Sequence, residues 1–173
     1  MAKYVALLRG INVGGKNKLP MADLRARFES LGHTDVSTFI QSGNVIFTAA
    51  RSVTSRSLET AIATEFGFEI SVVLRTPSEL ATVVKANPFT RVDISKLHVG
   101  FMAAKPAAAA VAKLDAERFR PEEFAIRGSE LYFHLPDGIG RTKLPGYLDR
   151  QLKIPTTVRN WNTVNKLLEL ASA

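Results

Sequence analysis

Two stretches of this chain lie 84 residues apart and start the same pattern. Ile70-Ser-Val-Val-Leu-Arg75 is followed by Leu80, Val83 and Val84, and Ile154-Pro-Thr-Thr-Val-Arg159 by Val164, Leu167 and Leu168. Each reads as a short β-rich run that ends on arginine, then an apolar helical face. A strand and helix that recur with a shared arginine constrain the chain to a duplicated architecture. The order of elements around them agrees with that.

In the first half, residues 4–9 form an apolar run closed by Gly10. Pro20 then opens a helix, with Asp23 in its first turn, Met21, Leu24, Phe28 and Leu31 on one face, and Gly32 at its end. Residues 36–41 and 44–48 are strands around a Ser42-Gly43 turn, a hairpin signal. Leu58, Ile62 and Phe66 have helical spacing before Gly67, and residues 70–75 form the fourth strand. Thr76-Pro77-Ser78-Glu79 is a capping box with proline at the first helical position, and Asn87-Pro88 stops that helix. The second half follows suit: a strand over 97–104, an Ala-rich helix after Pro106, and a hairpin of 124–127 with 131–135. A short helix over 145–153, a strand over 156–159 and a last helix capped by Asn160 complete it. We therefore expect an α+β protein of two ferredoxin-like βαββαβ halves, residues 1–90 and 91–173, packed into one compact unit.

Composition narrows the function classes. The 173 residues include no cysteine, which removes disulfides, thiol catalysis and iron–sulfur ligation. No apolar run approaches the roughly 20 residues of a membrane span, and residues 1–12 read as a first strand, not a signal peptide. The simplest expectation is a cytoplasmic protein with no membrane partner. Net charge is +7 and uneven: residues 1–33 carry six Lys/Arg against two acids (+4), residues 141–166 six against one (+5), leaving −2 elsewhere. Cations gathered in two segments point to an anionic partner, either a small phosphate- or nucleotide-like ligand or, as the alternative, a nucleic acid.

Gly10-Ile-Asn-Val-Gly-Gly15-Lys16-Asn17 nearly fits the phosphate-loop pattern and follows a strand. It fails at Asn17, where a hydroxyl would ligate Mg²⁺, and Pro20 places the helix start too late. More telling is a recurrence, Gly15-Lys-Asn-Lys-Leu-Pro20 and Gly140-Arg-Thr-Lys-Leu-Pro145, each ahead of a helix. Lysine and arginine at a helix N-terminus are locally unfavourable, and an external anion would compensate them.

Topology groups the candidates. In a sheet ordered 4-1-3-2, Arg9, Asn12, Lys16 and Asn17 should face Gln41, Ser42 and Asn44 at one edge. In the second half, Arg141 and Lys143 should approach Arg159, Asn160, Trp161 and Asn162. Asn160 reads as a helix cap, Asn44 as a turn residue and Trp161 as partly core; Arg9, Lys16, Gln41, Lys143 and Asn162 have no such structural use. The candidate ligand-binding residues are thus Arg9, Asn12, Lys16, Asn17, Gln41, Asn44, Arg141, Lys143, Arg159 and Asn162. Such amides and cations orient and neutralise a ligand without an evident proton shuttle, so no catalytic residue, reaction or cofactor is identified. His33, His98 and His134 have no metal-ligand spacing, so no metal site is expected. RNA-recognition modules of this topology need exposed aromatics on central strands; Phe47 and Tyr132 are the nearest, and alternation puts at least one in the core.

The segments LLRGINVGGKNKLPMADLR, TFIQSGNVIF, Asn87-Pro88-Phe89 and TTVRNWNTVNKLLEL resemble the signature blocks of the bacterial domain of unknown function 1697 family. The resemblance spans nearly the whole chain. It implies the paired ferredoxin-like α/β fold and no particular activity. One departure is Thr142, where the family pattern has serine.

Overall fold

A computed structural model describes all 173 residues. Eight strands and six helices alternate as β1 (Ala2–Leu8), α1 (Met21–Ser30), β2 (Thr34–Phe39), β3 (Asn44–Ala49), α2 (Ser55–Phe66), β4 (Val72–Arg75), α3 (Pro77–Lys85), then β5 (Leu97–Met102), α4 (Ala108–Ala112), β6 (Glu123–Arg127), β7 (Glu130–His134), α5 (Leu144–Leu152), β8 (Thr156–Asn160) and α6 (Trp161–Ser172). The strands form two four-stranded antiparallel sheets, β2-β3-β1-β4 and β6-β7-β5-β8. Both carry the expected 4-1-3-2 order, so the fold is α+β with two ferredoxin-like layouts. The residues divide into two compact units, Met1–Ala81 with Leu167–Ala173, and Thr82–Lys166. No helix is long and apolar enough to cross a membrane.

In the first unit, alternation sets one sheet face against the helices. Ala6 and Leu8 of β1 and Val45, Phe47 and Ala49 of β3 join Leu24 and Phe28 of α1 and Leu58 and Ile62 of α2 in one buried cluster. Helix α2 is fixed at both ends. Thr54 and Ser57 form a reciprocal capping box, and Gly67 closes the helix in the left-handed region at φ 79°. The residue expected to extend the α1 face, Leu31, is instead exposed, because it is the C-cap where the chain leaves the helix. The tail is held as well: Lys3 Nζ donates to the Ala173 carbonyl at 2.9 Å.

In the second unit, Met102, Leu131, Phe133, Leu135, Leu144 and Leu148 form the core. The Ala-rich helix is shorter than its composition suggests, five residues: the chain turns at Lys113, and beyond it Asp115 N–H donates to the Tyr147 hydroxyl. Back in the first unit, the capping box before α3 is present in full: Thr76 N–H donates to Glu79 Oε1 and Glu79 N–H to Thr76 Oγ1. The duplicated arginines also match in structure. Arg75 and Arg159 are both buried, and Nη1 of each donates to the preceding residue's carbonyl, at 2.9 and 3.0 Å.

Candidate functional site

The first basic segment is organised by asparagines. Leu8 N–H donates to the Gly43 carbonyl, which brings the end of β1 beside the β2–β3 turn. Beyond it, Asn12 sits at φ 55°, a left-handed conformation that asparagine tolerates well. Its Nδ2 donates to the carbonyls of Leu19 (2.9 Å) and Gln41 (2.8 Å), while its Oδ1 accepts from Leu19 N–H (2.8 Å). Asn17, also left-handed, donates from Nδ2 to the Gly10 carbonyl. Asn44 is fully buried and donates to the Phe39 carbonyl and Ser42 Oγ. These three side chains therefore act as struts of the loop and turn: Asn44 in the turn role its position suggested, and Asn12 and Asn17 where the sequence suggested amides offered to a ligand.

Arg9, Lys16, Lys18 and Gln41 remain on the exposed surface of this edge. A hollow of about 560 Å³ is lined by Asn12, Gly15, Lys18, Leu19, Pro20, Met21 and Gln41. The structure thus brings Asn12 and Gln41 together as expected, but only one cation lines the hollow, and it is neither Arg9 nor Lys16.

The second basic segment is different. Arg141 and Lys143 do not gather with Arg159, Asn160 and Asn162. Sheet order explains why: β6 and β8 are opposite edges, and the loop before α5 is tied to the β6 side. Thr142 Oγ1 donates to Glu122 Oε1 at 2.9 Å and accepts from Leu144 N–H at 3.1 Å, which starts α5. Arg159 is sequestered, 6% exposed, with Nη1 donating to Thr157 Oγ1 at 2.6 Å. Desolvation lowers its pKa to about 10. Asn160 Oδ1 accepts from Thr163 N–H and caps α6, as expected, and Asn162 is an exposed residue of that helix's first turn.

What Arg141 and Lys143 do line is a cleft of about 810 Å³. Arg118, Arg120 and Arg150 join them, so five cations face two carboxylates, Glu122 and Asp137, with Phe119 and Pro121 as the apolar wall. Arg120 is paired with the exposed Glu117 at 2.8 Å. The Arg118 guanidinium lies over the rings of Phe119 and Tyr147, 5.4 and 5.3 Å from their centroids. The side chains of Arg141, Lys143 and Arg150 make no ion pair or hydrogen bond. Sequence reasoning missed Arg118, Arg120, Glu122, Asp137 and Arg150. The signal present was the charge-dense run 117–123 and the Pro136-Asp137-Gly138 turn, but nothing local ties either to the Arg141 loop.

Elsewhere, chemistry is sparse. Phe47 and Tyr132 are both buried, so neither offers a stacking face to a base. Tyr132 instead donates its hydroxyl to the Val83 carbonyl at 2.6 Å, and burial raises its pKa to about 12. His33 and His98 are buried with Nδ1 unpartnered, and desolvation lowers the pKa of each. No three His, Asp or Glu side chains are grouped to hold a metal ion.

Comparison with known proteins places this architecture. Residues 1–132 match the model of a family described as protein of unknown function (DUF1697). A solved structure, that of the conserved bacterial protein SP0830 from Streptococcus pneumoniae, is similar over 100% of this chain and 99% of its own, with 27% identity and a TM-score of 0.77. No curated protein matches the chain.

Proposed function

The chain belongs to the DUF1697 family, and from that premise we propose that it binds a small phosphate-bearing anion in the basic cleft at the start of α5. The observation that carries this reading is the cleft's charge. Five cations outnumber two carboxylates, so the cleft stays net positive even with Arg120 paired to Glu117, and Glu122 is already engaged by Thr142. A concave surface lined by one sign of charge concentrates the opposite charge in it. The helix adds only its dipole to the field, since Leu144 N–H donates to Thr142 Oγ1, Pro145 has no N–H and Tyr147 N–H donates to the Lys143 carbonyl. Arg141 and Lys143 beside that helix end are placed unfavourably unless an anion compensates them.

Thermal stabilisation by phosphate and phosphorylated compounds tests the proposal, because a ligand of the folded state raises stability by mass action. A charge-assisted contact contributes roughly 1.5–3 kcal/mol, so Arg141→Ala and Lys143→Ala should each weaken binding by about tenfold or more. Arg25→Ala, whose side chain pairs with Glu29 on α1, should not. Unchanged binding in both cleft variants refutes the reading. Affinity for oligonucleotides that exceeds that for small phosphates and falls steeply with salt would point to nucleic acid instead.

A further inference from the structure

Resting on the phosphate reading above, we infer that the cleft takes a phosphorylated sugar: its cations meet the phosphate, and Asp137 accepts hydrogen bonds from the sugar hydroxyls. The uncommitted carboxylate is the starting observation. Asp137 lines the same cleft as five cations, yet it makes no ion pair or hydrogen bond. The turn that carries it does not require it. Gly138 N–H donates to the Leu135 carbonyl at 2.9 Å, with Gly138 at φ 82°, so Pro136 and Gly138 account for the Leu135-Pro-Asp-Gly138 turn.

A carboxylate in an anion cleft repels every phosphate, so its presence is unfavourable unless the ligand also brings donors. Adjacent hydroxyls are such donors, and their hydrogen bonds to an ionised acceptor are charge-assisted. Glu122 does not serve in the same way, since one of its oxygens already accepts from Thr142. Size agrees: about 810 Å³ exceeds what a bare phosphate fills and falls in the range of metabolite pockets.

The aromatic groups indicate which part of the ligand is recognised. A nucleobase needs a flat apolar face. Phe119 packs on Tyr147 with centroids 4.8 Å apart, and Arg118 covers both rings. With the rings engaged on each other and on the guanidinium, a base gains no stacking. A free sugar phosphate and a nucleotide should therefore bind alike, through the shared ribose phosphate.

Calorimetric titration of the full chain with inorganic phosphate, propyl phosphate, ribose 5-phosphate and AMP tests this. Ribose 5-phosphate should bind about tenfold or more tightly than propyl phosphate, with AMP close to ribose 5-phosphate. Asp137→Ala and the isosteric Asp137→Asn should abolish that preference while inorganic phosphate binds as tightly as before, or more so. Because Asp137 is exposed and makes no bond, both variants should melt near wild type. Equal affinities for propyl and ribose phosphates in the wild type, or a preference that survives both substitutions, overturns the inference but leaves the phosphate site standing. AMP binding tenfold tighter than ribose 5-phosphate overturns it in favour of base recognition. If no phosphate binds, or if Arg141→Ala and Lys143→Ala both leave binding unchanged, the underlying proposal fails too.

Discussion

Whether Asn12 is a strut or a ligand amide can be settled by stability alone. Asn12→Ala deletes three hydrogen bonds that tie the loop after β1 to Leu19 and to the Gln41 turn. At roughly 0.5–1.5 kcal/mol net each, they contribute about 1.5–4.5 kcal/mol. Alanine must also adopt the left-handed conformation at φ 55°, a further cost of about 1 kcal/mol. The expected loss is therefore roughly 3–5 kcal/mol, and at ~2–4 °C per kcal/mol for a chain of this size the melting midpoint should fall by about 6–20 °C. Asn12→Gly separates the two contributions: it relieves the backbone strain but not the lost bonds, and should recover only about 1 kcal/mol. Urea denaturation followed by circular dichroism reads both. A loss below about 1 kcal/mol for Asn12→Ala, or full recovery in Asn12→Gly, would refute the strut and return the amide to the list of ligand groups.

Gly43→Ala should destabilise by roughly 2–5 kcal/mol, combining left-handed strain with overpacking: its Cβ would stand 2.7 Å from Ile11 Cδ1 and 2.9 Å from Leu8 Cβ at φ 91°. Gly10→Ala, at φ 77° in open space, should lose only about 1 kcal/mol from strain, and similar losses for the two variants in urea titrations would show that the close packing is absent. The histidines set a pH dependence. Burial depresses the pKa of His33 and His98 below 6.5 in the folded protein, so below pH 6.5 the unfolded chain binds more protons and stability declines. The slope per histidine is at most about 1.4 kcal/mol per pH unit and ends once the folded pKa is passed. Urea midpoints between pH 7.5 and 5 should show this decline, and His33→Leu and His98→Leu should each reduce it; a slope unchanged in both variants contradicts the assignment.

Much of the fold was legible because its determinants are local. The Thr76–Glu79 box, the Asn160 cap and the glycine after α2 each act within a turn of chain, and the strand order followed from the βαββαβ sequence. The misjudged boundaries were set across the sheet. β1 begins at Ala2, two residues earlier than its apolar run, because Ala2 pairs with Ala49 at the end of β3. β4 begins at Val72, where pairing with Leu8 begins, although the apolar pattern starts at Ile70. The site was less legible for the same reason on a larger scale. Arg141 and Lys143 could be named from their motif. Their neighbours Arg118, Arg120 and Glu122 belong to a different part of the chain, brought there by a hydrogen bond between Thr142 and Glu122 that no spacing rule anticipates.

The two basic hexapeptides show how one residue divides similar sequences. Gly15-Lys-Asn-Lys-Leu-Pro20 and Gly140-Arg-Thr-Lys-Leu-Pro145 differ at the third position in the chemistry that matters. The Thr142 hydroxyl accepts from Leu144 N–H, so α5 starts at Leu144 and runs through Pro145 within its first turn, where the missing N–H is harmless. Asn17 turns its amide back to the Gly10 carbonyl, and Asn12 takes the Leu19 N–H. The helix is thereby delayed until Met21, after Pro20. Arg141 and Lys143 consequently flank a helix end, while Lys16 lies in a closed loop, with its N–H donated to the Val13 carbonyl. An anion is favoured where cations stand at the positive end of a helix dipole. The sequence presents such cations twice; the backbone sets them at a helix end beside Thr142 and not beside Asn17, which favours the one proposed anion site in this chain rather than two.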